Sequence, residues 1–310
     1  GTPEAQLRAL SHERWATLSN RLRSETGIDN GFRMCGGICV GFDEPDQLVE
    51  EISAWHTERV PVEEVPAERL VDVAPAISRD VVAAYRLPSL AQVRNPRHLK
   101  ALVTACRARG VTLQAGARVS EVVIRGGRVA GVRTATETFD ARTVCVAGGA
   151  WTPELMPPAE LPARIVPVRG QIALLSLPAP LFHHVIECGP RYLVPRTDGR
   201  VLVGSTQEHV GFDKRNTAGA IAELIDFAVR LVPELANATL ERTWAGLRPG
   251  TPDGLPYLGA VPAADGLFVA AGHFRAGLQM SPGTAAVMAD LMLGETPRIS
   301  LDGFSPGRIL

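Results

Sequence analysis

A buried strand that hands the chain to a glycine-bracketed loop and then to a helix is the feature that most constrains this fold. Leu267 to Ala271 is a short apolar run, as expected of a strand covered on both faces. Gly272 and Gly277 bracket His273, Phe274, Arg275 and Ala276, and a helix is expected from about Pro282 to Leu293, since proline suits a first helical turn. Glycine lets backbone approach a ligand without side-chain interference, and a helix N-terminus offers unpaired N–H groups to an anion or electron-rich atom. His273 and Arg275 are placed at the mouth. The same residues also make a tight strand-to-helix turn with a surface arginine, and the motif alone does not choose.

Upstream segments repeat this grammar. Asn95-Pro96 opens a helix over Arg97 to Arg109, Gly110 ends it, and Val111 to Leu113 reads as a short strand, half of a βαβ crossover. Val144 to Ala147 reads as another buried strand, stopping at Gly148-Gly149. A hairpin is expected where Val122 to Ile124 and Val129 to Val132 flank Gly126-Gly127. Leu7, Leu10, Trp15, Leu18 and Leu22 recur at helical spacing within residues 4–26, with Gly27 as the stop. The intervening pieces are richer in strands. Phe32 to Phe42 is strand-like, and Asp43-Glu44-Pro45-Asp46 opens a helix carrying Leu48, Ile52 and Trp55. Tyr192 to Val194 and Val201 to Val203 flank the turn Thr197-Asp198-Gly199. An amphipathic helix over 217–232 and a strand over Thr243 to Leu247 follow. Interleaving of this kind predicts two domains that share the chain.

Composition excludes more than it identifies. Hydrophobic residues make up 45% and charged residues 21%, ordinary for a globular chain, and the net charge of -1 gives no reason to expect a nucleic-acid or anionic-membrane partner. No apolar run reaches the ~20 residues of a membrane span. The five cysteines are scattered and odd in number, and Cys35-x-x-x-Cys39 has no second ligand pair nearby. Reduced thiols in a cytosolic protein, with no metal site, are the expectation.

Arg248 follows Trp244-Ala245-Gly246-Leu247 at a strand end and precedes Pro249-Gly250. A guanidinium fork is well matched to a carboxylate, though a strand-end arginine paired with a surface acid has the same sequence appearance. Tyr192 can offer its phenol to the same carboxylate, or be a core tyrosine with a wet tip. Arg169-Gly170-Gln171 is open to both readings. Neither an acid–base dyad nor a nucleophile triad emerges, which is expected where a cofactor carries the chemistry. A strand–G-x-G-x-x-G–helix fingerprint occurs nowhere in the chain.

Taken together, Tyr192-Leu193-Val194-Pro195-Arg196, Val203-Gly204-Ser205-Thr206, the run from Trp244 to Gly259, and Gly272-His273-Phe274-Arg275-Ala276-Gly277 resemble the glycine oxidases of thiamine biosynthesis, within the D-amino-acid oxidase and sarcosine oxidase superfamily. Ala147 to Trp151 and Pro167 to Gly170 resemble it more weakly. The resemblance implies an α/β (α+β) chain: an FAD-binding Rossmann-like domain over 1–29, 93–158 and 249–310, interleaved with a mostly antiparallel β-sheet substrate domain over 30–92 and 159–248. In the family a first βαβ unit, carrying the glycine fingerprint and a ribose-binding acid, precedes these residues; the expectation is that the natural protein has it, the other reading being a short relative that binds FAD poorly or not at all.

By the same resemblance, Arg248 and Tyr192 bind the substrate carboxylate, and Arg275 borders substrate and flavin. Gly272, His273, Phe274, Arg275, Ala276, Gly277 and Leu278 lie near the isoalloxazine ring. Val119 contacts the adenine side, and Gly148, Gly149 and Trp151 pack near the cofactor. Gln207, and likewise Gln279-Met280, stand where the family often has more apolar residues, implying a more polar substrate pocket. The implied reaction passes the Cα hydrogen of glycine or a similar small amine-bearing acid to FAD as hydride. The imine hydrolyses to oxo-acid and ammonia, and O2 is reduced to H2O2. A cytoplasmic homo-oligomer is implied. A flavin-less binding module that keeps the carboxylate clamp is the alternative of a different class.

Overall fold

A computed structural model describes residues 1–42, 45–58, 60–156 and 165–308. Asp43 and Glu44, expected to open a helix, lie outside them. In chain order the elements are α1 (Pro3–Thr26), β1 (Arg33–Met34), β2 (Gly37–Gly41), α2 (Pro45–Thr57), β3 (Glu63–Glu64), α3 (Ala67–Val73), β4 (Ala83–Leu87), β5 (Ala91–Gln92), α4 (Asn95–Ala108), β6 (Val119–Arg125), β7 (Arg128–Thr134), β8 (Thr138–Asp140) and β9 (Val144–Val146). They continue with α5 (Thr152–Leu155), β10 (Val166–Ser176), β11 (Val185–Cys188), β12 (Arg191–Pro195), β13 (Arg200–Gly204), α6 (Ala218–Leu231), β14 (Thr239–Gly250), β15 (Tyr257–Ala260), β16 (Leu267–Ala271) and α7 (Gly277–Met292). The chain divides into two compact units. One comprises Gly1–Asn30, Asn95–Val168 and Leu247–Leu310, the other Gly31–Arg94 and Arg169–Gly246.

In the first unit, β16 pairs in parallel with β9 and antiparallel with β15, and α7 packs on β15 and β16. A separate antiparallel sheet runs β6-β7-β8. Val146, Leu267, Val269 and Tyr257 are buried in one cluster, while Leu7, Leu10, Leu258, Met280 and Val287 form another between α1, α7 and β15. α1 starts cleanly because the Thr2 hydroxyl accepts the Ala5 N–H at 3.2 Å and Pro3 fills its first turn. Gly27, at φ 70, ends it by donating its N–H to Arg23 O.

Two expectations are corrected in this unit. α7 begins at Gly277, five residues before the proline expected to open it, and Pro282 lies inside the helix. An interior proline removes one N–H and disrupts its turn. Here the orphaned carbonyls are taken by side chains: Ser281 Oγ donates to Leu278 O at 2.8 Å, Trp15 Nε1 to Gln279 O at 2.9 Å, and Ser11 Oγ to Met280 O at 3.0 Å. Gly283 N–H then donates to Ser11 Oγ at 3.0 Å. A Cβ on Gly283 would lie 2.4 Å from that oxygen, so only glycine permits this helix contact. α1 thus holds the break in α7 open. Secondly, Val111 to Leu113 form no strand. Val111 and Leu113 are exposed, and an extended segment becomes a strand only where a neighbour pairs with its backbone.

The second unit is built on a mostly antiparallel eight-stranded sheet in the order β14-β10-β13-β12-β11-β2-β4-β3. β11 with β2 is a parallel pair within it. α6 covers one face: Leu224, Ala228 and Leu231 are fully buried against Ile38, Ala173, Leu193 and Val203. Phe32 to Phe42, expected as one strand, is divided by Gly36 at φ 69. β12 and β13 meet at the Thr197-Asp198-Gly199 turn, with Tyr192 registered opposite Gly204.

Candidate active site

The loop after β16 is shaped by three local constraints, all within the first unit. Gly272 sits at φ +88, and a Cβ there would lie 2.6 Å from Thr251 Cγ2, so both backbone conformation and space require glycine. Phe274 adopts φ 48, an uncommon conformation for a bulky residue. Its N–H donates to Pro249 O at 3.0 Å. That bond fastens the loop to the residue directly after Arg248. His273 turns inward, and its Nε2 meets Thr284 Oγ1 at 3.0 Å. Burial pushes the imidazole down to about 4, so it is neutral near pH 7 and serves α7 rather than the mouth of a cleft. Arg275 is exposed.

Ala276 precedes α7 and gives it no side-chain cap. The N-cap position thus offers the first-turn N–H groups no side-chain acceptor, and the positive end of the helix stands behind Gly277 and Leu278. Gly277 has only the His273 Cβ near its own Cβ position, at 3.4 Å. The donor set fits the electron-rich edge of a flavin: backbone N–H groups at a helix N-terminus, and glycines that admit close approach. Met280 and Gln279, expected on the pocket wall, are placed otherwise. Met280 belongs to the buried core, and the Gln279 side chain accepts from Arg8 of α1.

Val119 opens β6 and Trp151 closes the short turn 149–151 after β9. The structure brings them together: they line a cavity of about 450 Å³ with Leu155, rimmed by the Arg118–Glu154 ion pair at 2.9 Å. Its lining combines Val119, Trp151 and Leu155 with the charged Arg118 and Glu154. Gly149, at φ +56, makes the turn that carries Gly148 and Trp151 away from β9.

Arg248 lies near the C-terminal end of β14, and the segment after it is clamped by a residue with no signal in the sequence. Arg308 donates to both Asp253 carboxylate oxygens, at 2.7 and 3.0 Å, and to Leu255 O at 2.7 Å and Pro256 O at 3.1 Å. Its guanidinium lies 3.7 Å from the Tyr257 ring centroid. Burial alone would raise the Asp253 carboxyl, but the Arg308 and Leu255 N–H bonds hold it below its ordinary value.

In the second unit, Tyr192 lies on β12 with its ring across Gly204. The exposed Gln207 sits in a segment laced to β10: Gln171 N–H donates to Thr206 Oγ1, Thr206 N–H to Gln171 O, and Arg169 and Glu208 exchange backbone bonds. Beneath it Arg169, 4% exposed, pairs with Glu208 and Asp213, and Gln171 Nε2 donates to Glu208 Oε1. Burial would raise the Glu208 carboxyl, yet the bonds from Arg169, Thr206 and Gln171 outweigh it and hold it down. Arg169 and Gln171, open to two readings in the sequence, are the buried anchors of this segment. Glu208 had no sequence signal, because its partners lie 37 and 39 residues away. Among the described residues no cluster of His, Cys, Asp or Glu is suited to a metal ion, and no helix is long and apolar enough to cross a membrane.

Where a cofactor carries the redox chemistry, the protein supplies binding and orientation. Residues 1–291 match the family of FAD dependent oxidoreductases. A glycine oxidase of Pseudomonas putida is 36% identical over 307 residues, covering 97% of this chain and 83% of that protein. The hydrogen cyanide synthase subunit HcnC of Pseudomonas aeruginosa is 35% identical, covering 97% and 73%. The crystal structure of glycine oxidase from Geobacillus kaustophilus superimposes with a TM-score of 0.95 at 32% identity, covering 100% of this chain and 84% of that one. The chain belongs to the FAD-dependent oxidoreductase family; it is an oxidoreductase, and FAD is its cofactor.

Proposed function

We propose that this chain oxidises glycine, or an amine-bearing acid of similar size, to the corresponding imine, which water converts to oxo-acid and ammonia. The observation that carries the reading is the Phe274 N–H···O=C Pro249 bond. It joins the loop that would face the flavin to the residue after the only arginine in Trp244–Gly259, so a carboxylate held by Arg248 is held at a fixed offset from that loop. Residues 1–29, 93–158 and 249–310 are assigned to the FAD-binding domain, and 30–92 with 159–248, which include Tyr192 and Arg248, to the substrate-binding domain.

Gly272 to Leu278 approach the isoalloxazine, with the uncapped N-terminus of α7 favouring its electron-rich edge. Val119, Trp151, Gly148 and Gly149 bound the remainder of the cofactor. Bound there, FAD would supply a two-electron hydride acceptor for the substrate Cα–H. Arg248 binds the carboxylate through two parallel charge-assisted bonds, Tyr192 adds a phenolic donor, and Gln207 lends the pocket a polar wall. Arg275 borders substrate and flavin, and orientation rather than acid–base exchange is the protein's contribution. O2 is the electron acceptor, and the enzyme acts as a homo-oligomer in the cytoplasm, where its free cysteines remain reduced.

The test is steady-state oxidation of glycine with peroxide detection, on wild type and Arg248→Lys. Stoichiometric H2O2 and a KM raised about tenfold or more by the loss of the fork support the reading. Turnover that needs an added electron acceptor overturns the oxidase part, and an unchanged KM overturns the role of Arg248.

A further inference from the structure

Tyr192 and Gly204 stand directly opposite one another on β12 and β13. Such partners share a face of the sheet, and a glycine within a strand marks a place where something approaches the backbone closely. Here it is the phenol. A methyl group at position 204 would lie 2.5 Å from Tyr192 Cζ, 2.6 Å from Cε2 and 2.6 Å from the hydroxyl oxygen. The outer end of the ring therefore rests on bare backbone, with its hydroxyl at the same spot. Gly204 is not among the glycines with positive φ, so the closeness of the ring, and not a left-handed backbone, is what its missing side chain serves.

Nor can the backbone retreat to make room. Gly204 is registered with Ile172 of β10 on its other side. Just beyond it, Arg169 and Glu208 exchange backbone bonds and pair through their side chains, Thr206 N–H donates to Gln171 O, and Gln171 N–H donates to Thr206 Oγ1. A side chain at 204 would have to displace the phenol instead.

We infer that Gly204 is a positioning residue: by lacking a side chain it seats the Tyr192 phenol in the orientation that binds the substrate carboxylate. The inference rests on the role proposed above for Tyr192. Gly204→Ala leaves the phenol present but unseated, so it reproduces the effect of Tyr192→Phe. Each variant raises the KM for glycine about tenfold, the loss of one hydrogen bond to a charged group, while kcat stays within about twofold. Acetate binding, followed by calorimetry, weakens in parallel, and the near-UV circular dichroism of tyrosine changes in Gly204→Ala while the far-UV signal does not.

The decisive comparison is Gly204→Ala in a Tyr192→Leu background. With the ring gone there is nothing to displace, so the alanine adds no further change in KM or acetate affinity. Should Gly204→Ala fold poorly, the Tyr192→Leu background restores folding. An alanine whose effect is the same with and without the ring overturns the inference, as does an unchanged KM in Gly204→Ala beside a raised one in Tyr192→Phe. A Tyr192→Phe variant with wild-type KM and acetate affinity instead refutes the proposed role of Tyr192, an outcome distinguishable from the other two.

Discussion

Replacing Arg308 by alanine removes the clamp on the segment that follows Arg248, and the cost can be worked from the contacts. The guanidinium and the Asp253 carboxylate have side chains 11% and 27% exposed. An exposed ion pair contributes about 1 kcal/mol or less, whereas breaking a buried one costs about 3–5 kcal/mol. Partial access of Asp253 to water places this pair near 2 kcal/mol. The carbonyls of Leu255 and Pro256 lose charged donors, and the Tyr257 ring loses its cation. Together these add about 1 kcal/mol after solvent replaces part of what is lost. A total near 3 kcal/mol corresponds to roughly 6–12 °C in Tm for a domain of this size. Differential scanning calorimetry should show one transition shifted down, since Arg308 and all its partners lie in one unit. Arg308→Lys keeps the charge but not the fork, and falls between the two. Because the clamped segment begins five residues after Arg248, the KM for glycine also rises. Melting within about 1 °C of wild type for the alanine variant would refute the reasoning, showing that solvent replaces the whole contact set.

Burial of His273 gives a pH dependence with a definite sign. Its folded-state value, about 4, lies below the ordinary 6.5, so the unfolded chain binds more protons in between. Stability is full above about 6.5 and drains away as pH falls toward 4, by up to about 3 kcal/mol; denaturant melts at pH 7 and 5 on wild type and His273→Asn check that this loss disappears in the variant. Gly272→Ala meets both a positive φ and the Thr251 methyl, and should cost about 2–4 kcal/mol and lower the FAD content of the purified protein, read as the ratio of visible to ultraviolet absorbance. Ser11→Ala leaves Met280 O and Gly283 N–H without a side-chain partner in the core, and a loss of about 1–3 kcal/mol is expected in chemical denaturation. Equal stability would mean that Pro282 does not need its stitches.

The sequence disclosed most where the determinants are local. Gly27 marks the end of α1, and Thr197-Asp198-Gly199 sets the β12–β13 register, because caps and turns are decided within a few residues. The mostly antiparallel sheet and the FAD-dependent class were carried by resemblance over long ordered motifs. Features that depend on distant partners were hidden. Val111 to Leu113 look like a strand but have no neighbour to pair with, and the true start of α7 depends on Ser11 and Trp15, more than 260 residues away. Arg308 and Glu208 are ordinary charged residues until Asp253 and Arg169 are placed beside them. Gly204 was legible in principle: the turn fixes the register, and that register sets an aromatic residue against a strand glycine.

The most direct test of the central claim is the visible spectrum of the purified protein before and after anaerobic glycine. Flavin bands that bleach on addition of glycine and return on admission of air are the predicted result. A protein that remains colourless after reconstitution with FAD, yet still binds acetate, would contradict the account and leave only a carboxylate-binding module.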